Sequence, residues 1–84
     1  MKKYWYTECP SCHQGRLFIE RDKRDNSLFL HCEECETSWR NPETVGVAGT
    51  AFVYIDDQFD YDYPSAEEID QAGWKEYRRH TVEE

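Results

Sequence analysis

Four cysteines carry the clearest chemistry in this chain. They stand as Cys9-Pro10-Ser11-Cys12 and Cys32-Glu33-Glu34-Cys35, with nineteen residues between the pairs and no cysteine left over. A thiolate is a soft anionic ligand, and a two-residue spacer lets one tight turn aim both sulfurs at a single point. Two such pairs separated by roughly 15–20 residues fit a tetrahedral zinc ion. The expectation is one structural Zn2+ held by Cys9, Cys12, Cys32 and Cys35. Four protein thiolates leave no open position for water, so the site is not hydrolytic. His13 and His31 each adjoin a cysteine and could replace or hydrogen-bond a thiolate, but the shell is already complete. Both are read as polar residues at strand ends.

No catalytic constellation accompanies the cysteines. Ser11, Ser27, Ser38 and Ser65 have no His/Asp partners at motif spacing, and there is no glycine-rich phosphate loop. The reading is therefore non-enzymatic. Charge narrows it further. Of the 84 residues, those in 1–44 carry seven Lys/Arg and eight Asp/Glu, and those in 45–84 carry three and ten, giving −1 and −7 of the formal −8. Such a field repels phosphate backbones and attracts basic surfaces.

The elements that must position the thiols are short. "GRLFIERDKRDNSLFLHC" reads as two strands around a turn-rich "RDNS", a hairpin that would bring Cys12 beside Cys32. "TSWR" adds a third strand before Asn41-Pro42 stops it. "AFVYI" is read as a further strand or short helix, with Val45 and Val47 covering the sheet. Ser65 and Glu68 form a capping box after Pro64, so a helix starts there, with Glu67, Glu68 and Asp70 at its positive end and Arg78, Arg79 and His80 at its negative end. Gly73 would end a first helical segment and fold Trp74 back onto the core. Residues 81–84 are expected to fray. The fold class this predicts is a small zinc-stabilised α+β unit: a three-stranded antiparallel ribbon over 1–44, then an acidic extension over 45–84 with an extra strand or short helix and a C-terminal helix packed on the ribbon.

Residues 5–42, with "CPSCHQG" and "CEECETSW" as two knuckles, resemble the zinc ribbon family, which implies a fold more than a function. Rubredoxins share the two knuckles, but typically place glycine after each pair, where this chain has His13 and Glu36. A red, rubredoxin-like electron carrier is the weaker reading. "CPSC" also resembles a glutaredoxin motif, but no helical periodicity follows it. A disulfide framework would need a secretory signal. The start, "MKKYWYTECP", has no apolar run of signal length, and no transmembrane run exists, so a cytoplasmic protein is expected.

One stretch stands apart. In "DDQFDYDYP" an extended chain would put Phe59, Tyr61 and Tyr63 on one side and Asp60 and Asp62 on the other, with Asp56 and Asp57 close by. It is read either as padding for a weak core or as a contact surface for a basic protein partner. "YPSAEEIDQAGW" after a ribbon is similar to small acidic bacterial ribbon proteins, some with immunity roles in toxin systems. That resemblance implies an immunity protein, or antitoxin, whose partner is a cationic toxin or nuclease. The alternative is a nucleic-acid-binding ribbon of transcription or RNA machinery, using Lys2, Lys3, Arg16, Arg21, Lys23, Arg24 and Arg40 with Trp5 and Trp39 as stacking rings.

Overall fold

The computed structural model describes residues 1–53 and 60–84. Asp56, Asp57 and Phe59 lie outside the described residues. Among the described residues, seven strands, all pairing antiparallel, form one sheet: β1 (Lys2–Glu8), β2 (Arg16–Asp22), β3 (Ser27–Cys32), β4 (Ser38–Trp39), β5 (Ala51–Phe52), β6 (Tyr61–Asp62) and β7 (His80–Glu83). Their order is β5-β4-β3-β2-β1-β7, and β6 adds to the far end of β2.

The central hairpin follows from its sequence. Register runs from Leu17 opposite Cys32 to Asp22 opposite Ser27. The turn closes with Asn26 in the left-handed region (φ 62°), which asparagine tolerates, and its N–H donates to the Asp22 carbonyl at 2.7 Å. Asp25 then accepts from both the N–H and the hydroxyl of Ser27. Period-two alternation gives the sheet two faces. Leu17, Ile19, Leu28, Leu30 and Trp39 pack with Cys9, Cys32 and Ile69 on one. Phe18, Glu20, Asp22, Phe29 and His31 occupy the other.

The helix α1 (Ala66–Gln71) starts at the capping box: Glu68 N–H donates to Ser65 Oγ at 3.2 Å, and Ser65 N–H donates to Glu68 Oε1 at 3.0 Å. Gly73 (φ 83°) stops it. The N–H of Gly73 reaches the Asp70 carbonyl at 3.1 Å and that of Trp74 reaches the Ile69 carbonyl at 3.0 Å, the paired bonds of a glycine-ended helix. Trp74 turns back onto the core, as the sequence implied.

Beyond Gly73 the sequence reading fails. The chain makes a 3-10 turn over Lys75–Tyr77 and then runs as β7 along β1, from His80 opposite Trp5 to Glu83 opposite Lys2. Residues 81–83 are paired strand, not a frayed tail, and the fold is mostly β, with one short α-helix among the described residues. The physical reason is the edge of β1, whose free N–H and C=O groups gain a partner when β7 pairs with it. Arg78 does not sit at the helix end; its guanidinium forks Asp70 with contacts of 2.6 and 2.9 Å. Val45 packs on the core, whereas Val47 is 53 % exposed. Among the described residues, no helix is long and apolar enough to cross a membrane.

Candidate metal centre

The first knuckle leaves β1 and is tied by two backbone bonds. Cys9 N–H donates to the Gly15 carbonyl at 2.8 Å, and His13 N–H donates to the Cys9 carbonyl at 3.0 Å. The second leaves β3, where Cys32 N–H donates to the Thr37 carbonyl at 2.9 Å. The N–H groups of Glu34 and Cys35 both point at Cys32 Sγ, each at 3.4 Å. The residue after each pair, His13 (φ 57°) or Glu36 (φ 63°), takes the left-handed conformation that closes such a turn.

These turns bring all four sulfurs within 4.8 Å of one another. Cys9 Sγ lies 3.7 Å from Cys35 Sγ, and Cys12 Sγ lies 3.6 Å from Cys32 Sγ, with every cysteine free. Four sulfurs at about 2.3 Å from a central zinc stand about 3.8 Å apart along each tetrahedral edge, so the cluster fits such an ion. Cys9 and Cys32 are buried, and Cys12 and Cys35 are half-buried.

The surroundings sort the thiols. Burial pushes Cys32 up to about 12, and it raises Cys9 despite the Cys12 and Ser11 amides aimed at that sulfur. Cys12 is lowered, chiefly by the Gly15 and Gln14 amides. Burial opposes ionisation of Cys35, yet the Thr37 hydroxyl, 3.2 Å away, with the Thr37 amide and the neighbouring sulfurs, brings it to about 6. Amides directed at sulfur are the usual support of a bound thiolate. Gly15 is the position beside the cysteine cluster that leaves no room for a side chain: a Cβ there would lie 2.5 Å from Cys32 Sγ. Neither histidine joins the cluster. His13 is exposed beside Glu8, and His31, half-buried on the opposite face, bonds Ser38 Oγ at 2.8 Å through Nδ1.

The acid–aromatic stretch lies partly in view. Tyr61 and Tyr63 share one side, ring centroids 6.0 Å apart edge to face. Asp62 points to the other, where Arg21 forks it with two 2.8 Å contacts and also pairs with Glu68. The Asp60 carbonyl accepts from Lys23 N–H at 3.0 Å, and its carboxylate lies 3.5 Å from Lys23 Nζ.

The sequence reading missed two buried carboxylates, Glu20 and Asp22. Asp22 accepts from the Arg24 N–H, Nε and Nη2 and from Arg40 Nη2, which together hold its carboxyl well below the usual range. The available signal was their phase: both alternate with Ile19 and Arg21 and share a side with Phe18.

Fold and site together define a small antiparallel β-sheet protein whose four clustered cysteines can hold a metal ion such as zinc. Compared with protein-family models, curated proteins and solved structures, the chain matches none of them.

Proposed function

We propose that this chain is a non-enzymatic zinc-ribbon protein that binds a basic protein partner through its acidic, tyrosine-bearing surface. Strands β2 and β3 between the two knuckles, with β4 following the second, support the ribbon reading, and a four-thiolate ion would hold the turns together rather than react.

One observation carries the choice of partner. Seven of the ten Lys/Arg side chains are already paired with carboxylates of the chain: Lys3, Arg16, Arg21, Lys23, Arg24, Arg40 and Arg78. Six of the seven basic groups that a nucleic-acid reading needs, all but Lys2, are thus neutralised internally, and Trp39, 3 % exposed, offers no ring to a base. Among the described residues, no ion pair reaches the exposed Glu36, Glu43, Glu67 or Glu76. The outward excess is negative, suited to steering a cationic surface. An immunity protein that covers a cationic toxin or nuclease is the sharpest form of this reading.

The test is capture from a lysate on the metal-loaded chain, with and without nuclease. A second bait carries Glu36→Gln, Asp60→Asn, Glu67→Gln and Glu76→Gln, which spare the Arg21–Asp62 fork. A high-pI protein retained after nuclease, released by salt and lost with the variant is the expected result. Retention of nucleic acid alone, equal on both baits, overturns the reading.

A further inference from the structure

On the sheet face opposite the thiols, the edge of β2 and the tyrosines after it enclose a cleft of about 270 Å³. Small-molecule sites usually occupy roughly 300–1,000 Å³, so this one suits a single side chain better than a cofactor. Its walls are rings, Phe18, Tyr61 and Tyr63, and its polar groups are mostly carboxylates, including Glu20 and Glu36. Glu20 is buried at its floor, 2 % exposed, and His31 also lines it. Rings that offer a π-face beside carboxylates are the chemistry that recognises an ammonium or guanidinium.

The chain itself supplies one such cation at the rim. Lys3 Nζ stands 4.4 Å from the Tyr63 ring centroid and 2.7 Å from a Glu84 carboxylate oxygen. Its ammonium is held charged, its pKa raised first by the Glu84 bond. Of the other acids, Glu33 is committed to Arg16, while no ion pair among the described residues reaches Glu36. The cleft therefore accommodates one ammonium and keeps the Glu36 carboxylate beyond what that ammonium neutralises.

We propose that this cleft is a socket for one lysine or arginine side chain of the basic partner, with Tyr61 and Tyr63 as its walls and the exposed Glu36 as its anionic contact. It rests on the reading of the chain as a binder of basic proteins and adds where the partner's cation enters. The rings give the site shape that a diffuse acidic surface lacks, so it discriminates a protruding side chain from a flat basic patch. Lys3 competes for the same rings and carboxylates.

The test uses the full metal-loaded chain and a heptalysine peptide, followed by NMR titration, with spermidine and a single-stranded DNA oligonucleotide as separate arms. Heptalysine is expected to shift Phe18, Glu36, Tyr61 and Tyr63 saturably. The Glu36→Gln/Tyr61→Ala pair, losing one charge and one ring, should weaken binding about tenfold. The Glu67→Gln/Glu76→Gln pair removes two charges elsewhere and should stay within about twofold, as screened surface charges do. Lys3→Gln should tighten binding, a sign that loss of structure would not give. If heptalysine binds with shifts spread over all acids and both pairs weaken it alike, the socket is refuted while the basic-partner reading stands. If spermidine saturates the cleft and heptalysine does not, the site takes a free amine and the proposal falls. If only the oligonucleotide binds, the basic-partner reading itself falls.

Discussion

Asp22→Asn tests whether the buried carboxylate of the central hairpin holds the fold together. Asp22 is 1 % exposed and receives four hydrogen bonds: three from Arg24, at 3.0, 3.1 and 2.9 Å, and one from Arg40 at 3.2 Å. Removing one member of a buried ion pair costs about 3–5 kcal/mol when the remaining charge stays buried. Here the Arg24 and Arg40 side chains are 53 % and 44 % exposed and can return to water, so that penalty is largely relieved. What remains is the loss of charge-assisted bonds at about 1.5–3 kcal/mol each, partly offset because the amide keeps one acceptor oxygen, and about 2 kcal/mol is the net expectation. At about 4–8 °C per kcal/mol for a domain of this size, the melting temperature should drop by about 8–16 °C. The assay is thermal unfolding by circular dichroism at pH 7 and fixed zinc, with Asp25→Asn as an exposed control in the same turn. The pH sign follows from the depressed native pKa. Stability from Asp22 is present above its unfolded value, near 3.9, and is lost as pH falls through the lower native value. The wild-type-to-variant difference should thus be flat between about pH 5 and 8, where Asp22 is ionised folded or unfolded. A drop below about 2 °C, or a difference that vanishes within that window, refutes the reasoning.

Cys32→Ser, or chelation of the wild type, should abolish the cooperative unfolding transition, because metal binding is folding energy in so small a sheet; a native melting temperature in excess chelator would refute this. Gly15→Ala should weaken zinc affinity in competition with a chromogenic chelator, since the new Cβ would lie 2.5 Å from Cys32 Sγ; unchanged affinity would show that the knuckle yields. Ile69→Ala, at a fully buried helix position, should cost about 2–5 kcal/mol in denaturant unfolding, and a loss below about 1 kcal/mol would show that α1 is not anchored there. Because the metal-free chain is expected to be unfolded, its cysteines keep ordinary thiol pKa values near 8.5 and are protonated at pH 7, so zinc uptake in weak buffer should release about four protons, and fewer than about two would refute four-thiolate binding.

The cysteine-bearing half was legible because its signals are local. Period-two alternation on both sides of "RDNS" fixes a hairpin, and the hairpin fixes which cysteines meet. The helix start and stop were equally local, each set by contacts within five residues of Ser65 or Gly73. What could not be read was distant pairing. "HTVE" is short and three-quarters polar or charged, and it becomes a strand only because β1, at the other end of the chain, presents an open edge. Nor could the fate of Glu20 and Asp22 be read from their types. "IERDKRDN" looks like a solvated charged turn, and the carboxylates are buried because the hairpin and Arg40 from β4's exit close over Asp22.

The knuckles show where a local rule carried less than it promised. Glycine after each cysteine pair is the residue expected where the turn needs positive φ, and this chain has His13 and Glu36 there instead. Both nevertheless adopt that conformation, at about 1–2 kcal/mol each for a residue with a Cβ, because the bonds from His13 N–H to Cys9 and from Cys32 N–H to Thr37 determine the turn around them. The glycine that matters is Gly15, two residues later, where the backbone passes too close to Cys32 Sγ for any side chain. A bound dication is a sufficient source for that strain energy, since structural zinc contributes about 10–16 kcal/mol in comparable small sites. If the four thiolates hold such an ion, its binding balances the strain in the two knuckles, and the turns are held by what the thiolates bind.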